Sequence, residues 1–372
     1  MILPILLLGL ISLALSWLLT GIMIRVAPRI GFVDRPGHRK IHSNPKPLGG
    51  GVAILLAITL PMLALLGAFQ LNLVPLDHPN WQNYAGGVKQ QTPLALALIG
   101  TLVAIHIMGL MDDRKALGPF VKLFFQLVIS AAIVLPFRDV RALTAFGYWP
   151  SVVITILWIT AITNAFNFLD NMDGLSAGVA AVCTTAFLVT TIQIEQWFVA
   201  GTLVLLLGAL VGFLLWNFPP ARIFMGDSGS LVIGFLLGVM TIRTTYLRTG
   251  QTLAAGWYSV LVPVIVLAVP LYDLIVVSMI RMARGKSPFV GDTNHFSHRL
   301  VARGMSRRTA VLCIYLVTAS TAIAAILLPH VESTFGAVLI FAQTILVLGV
   351  VALLEQHPLP MPSDDNSNAP RT

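Results

Sequence analysis

An all-α integral membrane protein is the fold class that three features of the sequence predict. Hydrophobic residues make up 57% of the chain and charged residues 10%, with a mean hydropathy of +0.87. Soluble domains carry about a quarter charged residues. Apolar windows recur along most of the length, and a helical span needs about 20 apolar residues. Little sequence is left between the windows for a soluble domain. The expectation is a bundle of about 11 transmembrane helices. It forms one polytopic domain over residues 1–354, followed by a polar, Pro-rich tail at 355–372 expected to be disordered.

The windows fall at 2–24, 49–70, 94–111, 120–137, 151–167, 174–194, 197–216, 228–246, 257–280, 310–329 and 334–354. The first lacks a basic segment before it and is followed by one, so it is expected to span and not to be a cleaved signal. Asp112-Asp113 ends the third window, and Lys122 stands near the start of the fourth. The run from Asn164 to Asp173 separates the fifth and sixth. Asp227 lies between the seventh and eighth, and Asp273 inside the ninth. The stretch 71–93, with Asp77, His78, Trp81 and Tyr84, is expected to be an interfacial external loop. Cys183 and Cys313 sit alone in apolar windows without metal or redox spacing, which makes them packing residues. No internal repeat or low-complexity tract is visible.

Basic residues set the expected orientation. Eighteen of the 23 Lys and Arg fall on one side: Arg25 to Lys46, Arg114, Lys115, Lys122, Arg222, Arg281 to Arg308, and Arg371. Five fall on the other: Lys89, Arg138, Arg141, Arg243 and Arg248. Basic loops face the cytoplasm, so the N-terminus is expected outside and the C-terminus inside. The net charge of +8 then reflects cytoplasmic loops and anionic headgroups or ligands, and no nucleic-acid partner is expected.

This assignment used no acidic residue, yet Asp112, Asp113, the Asn164–Asp173 run and Asp227 all land on the inner side. Carboxylates at a bilayer boundary are costly unless they bind something. A divalent cation with a phosphorylated substrate suits them, because hard oxygen donors prefer Mg²⁺. Each motif also has a plainer reading. Asp112-Asp113-Arg114 is either a solvated helix end or a metal or basic site. Lys122 either snorkels or reaches phosphate. Asn164, Asn167, Asp170 and Asp173 are spaced at i, i+3, i+6 and i+9, which puts them on one helical face. Phe224 to Ser230 either caps a helix or forms an anion site at a helix N-terminus. His295 to Arg299 and the glycine-bearing stretch 35–51, with Lys46, either hold phosphate or are solvated basic loops.

Taken together, these motifs resemble the polyprenyl-phosphate N-acetylhexosamine-1-phosphate transferases, a family in which the phospho-MurNAc-pentapeptide translocases form another branch. The similarity covers about residues 25 to 310 in order along the chain. It rests on Asp112-Asp113-Arg114 with Lys122, on Asn-Ala-x-Asn-x-x-Asp-x-x-Asp-Gly-Leu at 164–175, and on Met-Gly-Asp-Ser-Gly-Ser at 225–230. The stretch 39–50 and His295-x-x-His298-Arg299-Leu300 resemble the undecaprenyl-phosphate GlcNAc-1-phosphate transferase branch. The adjacent-histidine run of the translocases is missing. Two departures stand out: Asp170-Asn171-Met172-Asp173-Gly174, where relatives often read Asp-Gly-x-Asp-Gly, and His295-Phe296-Ser297-His298-Arg299, where they often read His-Ile-His-His-Arg.

The resemblance implies a Mg²⁺-dependent (or Mn²⁺-dependent) enzyme of a bacterial inner membrane, with its active site facing the cytoplasm. It would transfer GlcNAc-1-phosphate from a UDP-N-acetylhexosamine to polyprenyl phosphate, release UMP and start cell-envelope polysaccharide assembly. Asn167 and Asp227 would hold the metal, and Asp112 and Asp113 would deprotonate or orient the lipid phosphate. Asp173 would lie near the uracil. Lys122, Lys46, Asn164, Asp170, His295, His298 and Arg299 would bind the substrates. A second copy of the chain is a candidate partner. An ion-coupled transporter is the competing class, but transporters place their charges near the midplane within repeats.

Overall fold

The computed structural model describes residues 2–34, 45–71, 73, 79–244, 246, 257–287, 295–331 and 333–356. It is an all-α integral membrane fold. Helices run as α1 (Ile2–Arg29), α2 (Gly50–Gln70), α3 (Pro79–Arg114), α4 (Pro119–Val134), α5 (Tyr148–Leu169), α6 (Leu175–Gln193), α7 (Trp197–Asn217) and α8 (Asp227–Arg243). They continue as α9 (Val262–Val266), α10 (Ala268–Ala283), α11 (Phe296–Ala302), α12 (Arg307–Leu327) and α13 (Thr334–Gln356). Among the described residues the only sheet is a two-stranded ribbon, β1 (Val33–Asp34) with β2 (Lys46–Pro47). Most of the loop 35–51, Asp77, His78, Asp292 and the tail from 357 lie outside the described residues, as do the side chains of Trp81 and Tyr84.

Each apolar window coincides with a helix or helix pair. Among the described residues, eight helices are long and apolar enough to cross a membrane, and α4, with 16 residues, is shorter. α8 has 17 residues, and every one from Ser228 to Thr241 is buried. The window 257–280 is not one straight span: Tyr258–Val266 and Ala268–Ala283 meet at 68°. Pro270, in the first turn of α10, has no N–H to give to the carbonyl four residues back. That Val266 carbonyl accepts instead from the Cys183 thiol at 3.4 Å, so this cysteine fills a gap in a broken helix. α3 starts at Pro79, inside the stretch read as an external loop.

Tight helix approach sets the position of α8, and small residues permit it. A side chain on Gly109 of α3 would come within 2.5 Å of the Ser228 Cα, and one on Gly234 of α8 within 2.7 Å of the Thr163 Cα of α5. Elsewhere, Ser12 and Ser16 of α1 donate to the Leu205 and Ala209 carbonyls of α7, both at 2.6 Å. The N-terminus of α8 is thereby wedged between the ends of α3 and α5 and the start of α2. The loop before it pairs with the start of α2: Gly50 and Gly51 donate to the Phe224 and Met225 carbonyls, each at 3.1 Å.

Candidate active site

The ends of α3, α5 and α7 and the starts of α2, α4, α6, α8 and α12 gather at one end of the bundle, and most candidate residues stand there. Asp112 and Asp113 are adjacent in sequence but diverge. Asp112 accepts from the Leu117 N–H at 2.6 Å and from Lys122 Nζ at 3.0 Å. Asp113 turns to α8 and accepts from the backbone N–H groups of Asp227 at 2.7 Å and Ser228 at 3.1 Å. Both its oxygens therefore serve the free donors of a helix N-terminus, where negative charge is favoured. Gly226 makes this approach possible. Its φ of 68° suits glycine, and a Cβ there would lie 2.5 Å from the Asp113 carboxylate.

Lys122 bridges Asp112 and Asp227, the first residue of α8. Asp227 Oδ1 accepts from Asn167 Nδ2 at 3.0 Å, and the same amide reaches Ser230 Oγ at 3.0 Å. Asp112, Lys122, Asn167 and Asp227 thus form one connected cluster, built from four helices. Asp170 caps the end of α5. Burial, and then the carboxylates of Asp227, Asp113 and Asp173, hold its carboxyl well above its ordinary range. Such crowding of carboxylates is relieved by a cation.

The remaining candidates occupy two flanks. Asp173 accepts from the Ala221 N–H at 2.9 Å, and Lys46 donates to the Ala221 carbonyl at 2.5 Å. These two clamp the loop after α7. On the other flank, His295 and His298 stand at the start of α11, with ring centroids 6.4 Å apart. Burial lowers the basicity of His298. Arg299 pairs with Glu355 of α13 at 2.6 Å, so the last helical turn bonds to a residue expected to bind substrate. Asn164 points away from the cluster: it donates to Gln126 Oε1 at 2.7 Å and to the Thr160 carbonyl at 2.8 Å.

Three further buried polar side chains bond to the elements that carry the cluster. Gln126 is buried one helical turn beyond Lys122, a spacing of i, i+4 that could have drawn attention to it. His106 Nδ1 lies 2.9 Å from the Ser228 carbonyl, and a lone histidine in an apolar run gives no sign of such a partner. Asn217 accepts from the Gly174 N–H at 2.9 Å and donates to the Ile223 carbonyl at 2.8 Å. It ties the turn before α6 to the loop before α8.

No three His, Cys, Asp or Glu side chains converge as a complete cage among the described residues. The oxygen donors of Asp112, Asp227 and Asn167 still suit Mg²⁺, which takes one or two carboxylates and completes its shell with water and substrate phosphates. Lys122 stands between the two carboxylates, so a metal bound by both would require the ammonium to move aside.

Comparison with known proteins gives a match to "Glycosyl transferase family 4" over residues 95–245. The chain is 31% identical over 340 residues to the probable undecaprenyl-phosphate N-acetylglucosaminyl 1-phosphate transferase of Bacillus subtilis, covering 89% of this chain and 87% of that protein. It is 31% identical to the decaprenyl-phosphate N-acetylglucosaminephosphotransferase of Mycolicibacterium smegmatis, with 83% and 78% covered. It is 28% identical to the undecaprenyl-phosphate alpha-N-acetylglucosaminyl 1-phosphate transferase of Escherichia coli, with 79% and 76% covered.

Proposed function

The chain belongs to glycosyl transferase family 4, and from this premise we propose that it transfers GlcNAc-1-phosphate from UDP-GlcNAc to polyprenyl phosphate, releasing UMP. One observation supports this best. Two carboxylates from different helices, Asp112 and Asp227, share the Lys122 ammonium at a bundle end lined with further acids and amides. Such a cluster suits two phosphorylated substrates and a cation.

In the reaction an oxygen of the lipid phosphate attacks the β-phosphorus of the donor. A new P–O bond forms, and the bond from that phosphorus to the α–β bridging oxygen breaks. UMP carries away the electron pair. Asp227 and Asn167 would hold Mg²⁺, which neutralises diphosphate charge and stabilises the departing UMP when bound. Asp112 would orient the attacking phosphate and take up any proton left on it. Lys122 would then exchange carboxylate for phosphate contacts. Asp113 would act at one remove, by holding the helix start that carries Asp227.

The test is incubation of purified protein with polyprenyl phosphate, Mg²⁺ and a panel of UDP-sugars, following UMP. UMP release with UDP-GlcNAc that depends on the lipid acceptor is expected. Release with another UDP-sugar only would overturn the sugar assignment, and no release with any donor would overturn the reaction.

The site is proposed to face the cytoplasm from a bacterial inner membrane, on the strength of the basic-residue asymmetry. A cysteine introduced at Lys89 should react with a membrane-impermeant thiol reagent in intact cells, whereas one at Lys286 should react only after permeabilisation. The opposite pattern would invert the topology.

A further inference from the structure

Asp273 lies outside the carboxylate cluster, and it is fully buried. An unpaired charge in such a place is expensive, so its partners are informative. One oxygen accepts from the Phe296 N–H at 2.8 Å, and the other is 2.9 Å from His295 Nδ1. The second ring nitrogen of His295, Nε2, is 3.4 Å from an Arg281 Nη2. A carboxylate only accepts and a guanidinium only donates. These partners therefore assign a neutral imidazole that carries its hydrogen on Nδ1 and accepts at Nε2. Arg281 is 2% exposed and His295 5%, so acid, imidazole and guanidinium form a buried chain.

This chain joins separate parts of the site. Asp273 and Arg281 belong to α10, whereas His295 and Phe296 open α11. The Arg281 guanidinium stands 4.9 Å from the Phe168 ring centroid, and the His295 ring meets the same ring edge-on at 5.7 Å. Phe168 directly follows Asn167. Ser297 Oγ donates to Asn171 Oδ1 at 2.5 Å, a second tie from the same segment to the turn after α5. With both ring nitrogens engaged and little surface, His295 is poorly placed to meet a substrate. His298, half-buried one turn on, is the histidine with room to do so.

We propose that Asp273, His295 and Arg281 act as one buried positioning unit that holds the His298-bearing start of α11 against the Asn167–Asp173 segment, and so shapes the subsite for the sugar-nucleotide donor. His295 is in this account a positioning residue. The proposal rests on the transferase reading above, so wild-type turnover with UDP-GlcNAc is the control that tests that reading separately.

Asp273→Asn is a clean probe. Its Oδ1 can still accept from Phe296, but its amide cannot accept from Nδ1–H, so the imidazole loses its assigned tautomer. His295→Gln breaks the same chain from the middle and serves if Asp273→Asn fails to accumulate. Both variants should raise the KM for UDP-GlcNAc by about tenfold or more while the KM for polyprenyl phosphate stays within about twofold. The double variant should be no worse than the worse single, because the residues work as a unit. Unchanged donor KM, or a loss shared equally by both substrates and tracking the melting temperature, would overturn the proposal. So would fully additive losses.

Discussion

Replacing Asp227 with Ala is expected to lower turnover by about 10³-fold or more, the scale of several kcal/mol of lost charge stabilisation. Asp227 meets both Lys122 and Asn167, and no other carboxylate among the described residues joins those two. Its removal would leave Lys122 to Asp112 alone and Asn167 to Ser230. The helix itself should survive, since the backbone N–H of residue 227 still reaches Asp113 and Ala is a good helix former. The melting temperature should therefore stay near that of wild type. UMP release measured across a Mg²⁺ titration decides the matter. The wild-type enzyme should stop in EDTA and recover with Mg²⁺ or Mn²⁺. Full turnover in EDTA would refute the metal, and a fast Asp227→Ala variant would refute its ligand.

The second large effect separates two neighbours. Asp112→Asn should reduce kcat by about 10²-fold, in line with losing a group that handles a proton. UDP-GlcNAc affinity should hardly change, since Asp227 and Asn167 remain. The Asn carbonyl can still take the Leu117 N–H, so the turn after α3 should persist. Asp113→Asn acts differently. Asp113 spends both oxygens on two N–H donors at the start of α8. An Asn offers one acceptor and turns a donor towards the other N–H, a mismatch costing about 1–3 kcal/mol. The start of α8 would shift and take Asp227 with it. Activity should then need about 10 to 100 times more Mg²⁺, the usual effect of removing a residue that orients a metal ligand. Calorimetry with UDP-GlcNAc and Mg²⁺ titrations of turnover on both variants distinguish the roles. An unchanged Mg²⁺ requirement in Asp113→Asn would show that this carboxylate does not act through Asp227. Normal turnover in Asp112→Asn would reduce that residue to a helix end.

Much of the architecture can be read from composition alone. A bilayer demands long apolar stretches, so the windows between 2 and 354 match helices closely. Costly groups such as Asp112, Asp113, Asn167, Asp170 and Asp227 are conspicuous in an apolar chain, and their candidacy as one shared site is legible in the sequence. The family resemblance rests on the same short runs. These are local signals: each depends on the solvent around a residue and on neighbours within a turn or two.

Partnerships across the chain are another matter, because they depend on how closely helices approach. Asp113 and the N–H of Asp227 are separated by more than a hundred residues and meet because Gly109 and Gly226 leave no side chain in the way. The same packing separates the adjacent Asp112 and Asp113 into two jobs and commits Arg299 to Glu355, a residue that its polar surroundings in sequence had assigned to the tail. It brings Cys183 to the Val266 carbonyl that Pro270 leaves free in the ninth apolar window, which bends at Leu267. It also buries His295 between Asp273 and Arg281. Apolar periodicity records which side of a helix is costly to wet. It carries no information about which polar group waits on the next helix, and that is set by the close fit of side chains and glycines across the bundle.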